Sequence, residues 1–403
     1  MKYFLLLNSL FFFFKPCPSH TQELTQGMNL WQAIIWSLPN EIGGQRERLG
    51  RELSRLKQKN VKLVRILASV QGSENAEFAF ARMLPSCERK PIEWRVECQE
   101  ALKYLLDQLK LHEMKAIVVI SNFWHWSGGF AQYQAWAKGT DQIPYAFGAH
   151  SSYWEMKNFF ESAADFYSDN IAQSFYFQFL QKVVSQFKGH EAIDSWQLAN
   201  EPTPKNQENF EFLLEWAKES VKRIRMIDPQ AHISLGGVGE GPLPFWTFTD
   251  MKRLHQEIKF NYMTIHLWPQ NWSWYFPRPE WLAKLSTPIM NWLSERYLRH
   301  HAKMARELNI PLILEEVGLA RDGESLDPTS STKKRESFFE LIKSVLISEI
   351  KQGTKIKGIL YWAWAGEARP AKGLNQWMRG QAFVGDPPQE PQGWYSIYDS
   401  DHW

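Results

Sequence analysis

Eight short runs of apolar and β-branched residues, each followed by a longer amphipathic stretch, restrict the folds open to this chain. The runs are 27–35 (GMNLWQAII), 61–67 (VKLVRIL), 115–123 (KAIVVISNF), 193–202 (IDSWQLANEP), 232–240 (HISLGGVGE), 262–268 (YMTIHLW), 311–318 (PLILEEVG) and 356–364 (IKGILYWAW). Between them, apolar residues recur at three and four positions in 47–59, 97–112, 173–187, 207–226, 289–308 and 332–352, the period of a helix with one buried face. Parallel strands need long crossovers, and helices are the usual ones. The pattern predicts a (β/α)8 TIM barrel occupying 24–403 as one domain. The interval from Asn122 to about Gln173 is too long for a plain connection. In a barrel it hangs from the catalytic face as a long loop after strand 3 that walls a cleft.

Residues 1–14 (MKYFLLLNSLFFFF) join a basic Lys2 to an apolar stretch too short to span a bilayer, and 15–23 is polar with prolines. This reads as a secretory signal peptide and linker over 1–23, leaving a soluble, extracytoplasmic protein with no membrane segment. Lys15 and Pro16 before Cys17 do not resemble a lipidation signal. Cys87 and Cys98 then remain, and an oxidising compartment makes a small-loop disulfide feasible; two free thiols are the other reading. A formal charge of +2 supplies no field for nucleic acid or anionic lipid. The 20 tryptophans exceed what a core requires and suit stacking on flat, partly apolar ligands.

Acidic residues at the ends of barrel strands converge on one pocket, where like charges repel, so they are costly there unless they work. Glu201 ends strand 4 beside Asn200, and Glu316 ends strand 7 beside Glu315. Strands 4 and 7 are near-opposite across a barrel mouth, close enough for two carboxylates to flank one bond. Strict strand alternation sends Glu315 and Glu316 to opposite faces, so only one of them is expected in the pocket.

NEP at the end of strand 4 and EVG at the end of strand 7 resemble glycoside hydrolase family 5 of clan A. The segments 122–136 (NFWHWSGGFAQYQAW), 234–241 (SLGGVGEG), 265–275 (IHLWPQNWSWY), 361–370 (YWAWAGEARP) and 385–401 (GDPPQEPQGWYSIYDSD) resemble its endo-β-1,4-mannanase branch. That resemblance implies a retaining endo-β-1,4-mannanase acting on mannan, glucomannan or galactomannan. Close alternatives are a β-1,4-glucanase, a β-mannosidase or a carbohydrate-binding barrel. It implies Glu201 as general acid/base and Glu316 as nucleophile, with Asn200 on the sugar 2-hydroxyl, Arg65 beside the nucleophile and His266 in the pocket. Trp268 stands where many members carry a tyrosine bonded to the nucleophile. Trp362 matches the sugar platform, with Trp364 the other choice, and Trp124, Glu240 and Trp272 match cleft positions. The mechanism asks that Glu201 be raised toward neutrality by its neighbouring carboxylate.

No cofactor or metal is expected: GGVGEG lacks the spacing of a dinucleotide loop, and the adjacent His300 and His301 lack the i, i+4 spacing of a metal pair. A β-mannan polysaccharide is the expected partner, and the protein is expected to be a monomer. No amphipathic stretch follows the eighth run, so the final helix is expected to be missing. The chain is then a truncated fragment, or something else covers the seam between the first and last strands; an uncovered seam would expose apolar surface.

Overall fold

Each β-branched run gives one strand of a single parallel sheet: β1 (Gln26–Asn29), β2 (Leu63–Leu67), β3 (Lys115–Val119), β4 (Ile193–Gln197), β5 (Ile233–Ser234), β6 (Met263–Leu267), β7 (Leu312–Val317) and β8 (Ile356–Tyr361). The computed structural model describes residues 24–72, 83–143, 145, 151–240, 250–371 and 376–403; the signal peptide reading and Cys17 fall outside them. The strand order is β5-β4-β3-β2-β1-β8-β7-β6. The ring closes between β5 and β6, where Asn261 N–H donates to the Ile233 carbonyl at 2.8 Å and His266 N–H to that of Val238 at 3.1 Å. β5 is two residues long because Gly236, Gly237 and Gly239 follow it. Gly236 and Gly239 take φ of +91° and +93°, outside strand geometry.

Leu63, Ile117, Tyr262, Ile313 and Leu360 pack against one another and fill the floor of the barrel. Above them the interior turns polar, with Asn29, Arg65, Gln197, His266 and Glu315 all buried. Such a layer is tolerable only if each group is paired.

The outer layer consists of α1 (Ala33–Trp36), α2 (Arg46–Gln58), α3 (Val96–Leu111), α4 (Gly129–Ala137), α5 (Tyr153–Ala164), α6 (Asn170–Phe187), α7 (Gln207–Ile227), α8 (Met251–Glu257), α9 (Glu280–Leu308) and α10 (Lys333–Lys351). α7 shows why these segments are helices. Phe210, Leu213, Leu214, Ala217, Val221 and Ile224 form one buried stripe, and the Asn206 side chain caps the first turn by accepting from Asn209 N–H at 2.8 Å. The periodicity misses α4, α5 and α8, which are short, and begins α9 nine residues late because Pro288 lies inside that helix. The expected loop after strand 3 is therefore largely helical. Cys87 and Cys98 are disulfide-bonded, tying the β2–α3 connection to α3. Among the described residues, no helix is long and apolar enough to cross a membrane.

No helix follows β8 among the described residues, yet the seam is not bare. β9 (Trp364–Gly366) pairs with β10 (Ile397–Tyr398), bringing the last residues back over β8. Ile359 and Tyr361 are fully buried, Tyr361 between Phe339 of α10 and Trp403. The expectation of exposed apolar surface there is corrected: a short tail covers the seam because a buried charge cluster holds it down. Asp401 accepts from Arg321 Nη2 at 2.6 and 2.7 Å, from Arg335 Nη2 at 2.7 Å and from Tyr398 N–H at 3.0 Å. Asp401→Ala strands two buried guanidinium groups, and urea unfolding is expected to show a loss of about 3–5 kcal/mol.

Candidate active site

β2 ends in Arg65, whose guanidinium organises the barrel mouth. Nε donates to Gln197 Oε1 at 2.8 Å, Nη1 to Glu316 Oε1 at 2.5 Å and to Asn29 Oδ1 at 3.2 Å, and Nη2 to Asn200 Oδ1 at 2.7 Å. Glu315 Oε2 lies 3.6 Å from Nε. One cation thus touches strands 1, 2, 4 and 7, and both adjacent glutamates.

That arrangement corrects the expectation that only one of Glu315 and Glu316 can face inward. The β7 register slips on both sides: Ile265 pairs with Leu314 but His266 with Glu316, and Leu314 pairs with Ile359 but Val317 with Tyr361. A bulge of this kind breaks the two-residue alternation and re-aims a side chain. Glu315 occupies the lower level, accepting from Gln197 Nε2 at 2.8 Å on each oxygen. Glu316 occupies the upper level, at the cavity.

Glu201 reaches the same place from β4 through a turn in which its own φ is +51°, a left-handed conformation that a non-glycine residue adopts at a cost. Glu201 N–H bonds to the Gly236 carbonyl at 2.9 Å, and Asn200 N–H to that of Ser121 at 2.9 Å, which hold the turn. Trp124 Nε1 donates to Glu201 Oε2 at 2.5 Å, and His266 Nδ1 lies 2.6 Å from Glu201 Oε1 and 3.3 Å from Glu316 Oε2. Oxygens of the two carboxyls approach within 4.8 Å.

The electrostatics run against the expected rise of Glu201. Burial raises the Glu201 carboxyl, but the bond and charge of His266, the Trp124 N–H and Arg65 outweigh it and hold the group below its usual range. Burial pushes Glu316 up to about 7; the charges of His266 and Arg65 oppose this and that of Glu201 adds to it. His266 loses by burial but gains more from Glu316, Glu201 and Glu315, and stands at about 9. The expected rise of Glu201 is therefore corrected: His266, the Trp124 N–H and the charge of Arg65 together outweigh its burial. Glu201, His266 and Glu316 are close enough to hold a cation. A protonated His266 has no lone pair to offer one, and Arg65 already supplies positive charge.

These groups open into a cavity of about 400 Å³ lined by Trp124, Asn200, Glu201, Trp268, Trp272, Glu316 and Trp362. Trp362 faces the cavity, while Trp364 is buried and donates to Glu52 Oε2 at 3.0 Å. Trp268 packs edge-on to Trp362 and Tyr395, at 5.8 and 5.0 Å between ring centroids. A Cβ at Gly318 would lie 2.3 Å from the Trp268 ring, so this glycine admits the indole. The donors that reach Glu316 are Arg65 and His266.

Glu240 does not join the lining. Its Oε2 sits 2.8 Å from His300 Nε2, and its backbone N–H donates to His301 Nε2. Gly239, at φ +93°, turns the chain under α9, where a Cβ would meet Tyr297 Oη at 2.5 Å.

Sequence reasoning placed Trp126 and Asn271 only within longer segments expected at the cleft, and missed as site residues most of the wall supplied by 387–395: Pro387, Gln389, Glu390, Trp394 and Tyr395. That wall hangs on Asp386, which accepts from Tyr395 N–H at 2.6 Å, Gly393 N–H at 2.8 Å and Ser396 Oγ at 2.5 Å. An Asp amid Gly and Pro marks such a turn, but nothing local says where it lands. Glu390 is partly exposed there; burial, then Asp386, Glu201 and Glu316, push its carboxyl well above the carboxylate range.

A mannosidase of glycoside hydrolase family 5 from Rhizomucor miehei has the same architecture. It is 28% identical, with a TM-score of 0.76 over 94% of this chain and 90% of that one. A glutamate-to-alanine mutant of the same enzyme, in complex with mannosyl-fructose, gives 0.78. An endo-1,4-β-D-mannanase from Thermotoga petrophila, 19% identical with a TM-score of 0.65 over 94% of this chain and 96% of that one, shares the fold. Among curated relatives, mannan endo-1,4-beta-mannosidase 8 of rice is 24% identical, covering 68% of this chain and 71% of its own length. Mannan endo-1,4-beta-mannosidase A of Podospora anserina is 26% identical, covering 55% and 52%. The family model described as "GH family 5 beta-mannosidase-like" matches residues 9–403, so this TIM barrel with its paired carboxyls belongs to that family of glycoside hydrolases.

Proposed function

We propose that the chain hydrolyses β-1,4-mannosidic bonds with retention of configuration, acting outside the cell on chain ends of mannan or short mannosides. The observation that carries the reaction class is the approach of the two carboxyls to within 4.8 Å, since retaining enzymes bring them to about 5–5.5 Å and inverting ones leave about 6.5–9.5 Å for a water. In this reading Glu316 attacks the anomeric carbon while Glu201 protonates the departing oxygen. Water, deprotonated by Glu201, then breaks the glycosyl–Glu316 ester. Asn200, fixed by Arg65 and by Asn122 Oδ1 at 3.1 Å, is placed to bond the sugar hydroxyl next to the anomeric carbon. The reaction needs one proton on the carboxyl pair; burial raises Glu316, while His266, Trp124 and Arg65 lower Glu201. His266 Nδ1 reaches both carboxyls, so it can pass a proton to Glu201 and take one from Glu316 without net change.

Chain-end action is supported by the small cavity, about 400 Å³, and by the 387–395 segment that lines part of it, which suit one or two sugar units better than a long groove. The disulfide supports an oxidising, extracellular setting. Internal cleavage is the second reading, supported by the curated relatives and by the six tryptophans, 124, 126, 268, 272, 362 and 394, around the cavity. Chromatography of early digests separates the two: chain-end action on linear mannan releases mannose or one short product from the start. A broad ladder of oligosaccharides appearing first favours internal cleavage, and faster hydrolysis of carboxymethyl cellulose than of mannan overturns the substrate.

A further inference from the structure

α9 carries an apolar stripe on its outer face that the barrel does not use. Trp281, Leu285, Ile289 and Trp292 are exposed by 62, 62, 53 and 58%. At about 100° and 1.5 Å per residue, these positions fall within one sector of the helix and run ~16 Å along it. Together they expose on the order of 500 Å² of mostly apolar surface, the upper range for the largest patch on a monomer. A stable interface takes about 800 Å² per partner, so the stripe plus a polar margin is of the right size for one.

The margin selects the occupant. Arg278 and Glu280 precede the stripe, with side chains 61 and 77% exposed, and Glu295 and Arg296 follow it, with Arg296 lying 5.6 Å over the Trp292 ring. Within the chain Arg278 pairs with Glu324, Glu280 with Lys284 and Glu295 with Arg299, and these exposed pairs are weak enough to exchange partners. An antiparallel two-fold centred between residues 286 and 287 sets Trp281 against Trp292 of the partner subunit, and Arg278 against Glu295 of the partner subunit. Glu280 then approaches Arg296 of the partner subunit. Apolar faces meet and opposite charges meet by the same operation, as an interface built from one patch used twice requires.

We propose that this face of α9 is a homodimer interface, in place of the monomer expected from sequence. The proposal is independent of the mannosidase reading, because none of these side chains lines the cavity. Sedimentation equilibrium of the full chain over a wide concentration range tests it, with a mass twice that of the chain expected. The double variant Trp281→Glu, Trp292→Glu should sediment as a monomer, with its far- and near-ultraviolet circular dichroism unchanged, which separates loss of the interface from misfolding. Arg278→Glu should weaken the dimer, and adding Glu295→Arg should restore it. A wild-type monomer at every concentration overturns the proposal, as does a dimer that survives the double variant. A wild-type monomer that pellets with insoluble mannan or with phosphatidylcholine vesicles, and loses that binding in the double variant, assigns the face to another occupant and equally overturns it.

Discussion

Glu316→Ala is expected to abolish turnover on mannan and on aryl β-mannosides alike, with a fall on the order of 10⁴-fold or more, because the covalent intermediate forms on its carboxyl. Glu201→Ala should behave differently. An aryl leaving group departs without protonation, so the glycosyl–Glu316 ester still forms, and azide can intercept it where water lacks a base. Substrates with poor leaving groups should lose about 10²–10⁴-fold, the usual worth of general acid–base catalysis. Azide rescue with retained stereochemistry in the Glu201 variant alone is the expected result. Rescue in the Glu316 variant, or full activity there with loss in Glu315→Ala, would reverse the assignment of the two adjacent glutamates.

Arg65→Leu is the second large effect, and it acts on stability and on protonation together. Its guanidinium is buried among Glu315, Glu316, Asn29, Gln197 and Asn200. Removing it leaves carboxylates buried without their cation, and unfolding measurements should show a loss of about 3–5 kcal/mol. The sign of the pH effect follows from Glu316. The carboxyl pair keeps its one proton while pH stays below the raised Glu316 value of about 7 and loses it above, so kcat/KM of the wild type should fall as pH rises through about 7. Arg65 lowers Glu316, so in Arg65→Leu the remaining activity should persist to higher pH. An alkaline limb that stays in place would show that Arg65 does not set the protonation of the pair.

Several site residues were readable because they obey a local rule. Glu201 and Glu316 were singled out as charged residues at strand ends, where a barrel gathers them, whereas Arg65 and His266 were reached through the resemblance to glycoside hydrolase family 5. Glu315 defeated it, because alternation assumes an unbroken ladder and β7 carries a bulge. Glu240 defeated it too, since its direction depends on how Gly239 passes under α9. Trp362 and Trp364 are two apart and so share a face in an unbroken strand, and it took the end of β8 at Tyr361 and the short β9 to separate them.

The barrel was legible in the order of residues alone. Eight apolar, β-branched runs and their period-3.6 partners leave few other ways to bury both faces of a parallel sheet, and that information is local and repeated along the chain. That order also determined that carboxyls from β4 and β7 would meet, since strand order fixes which ends share the mouth. Only the folded chain sets the charge environment of each carboxyl. That follows from donors brought in from separate segments, Trp124 and His266 on Glu201 and Arg65 on Glu316, and from burial that no single segment creates. It alone decided the shape of the cavity as well, because residues 387–395 return to the mouth from the far end of the chain. Composition and spacing are properties of neighbours in sequence, whereas charge balance and cavity shape belong to neighbours in space.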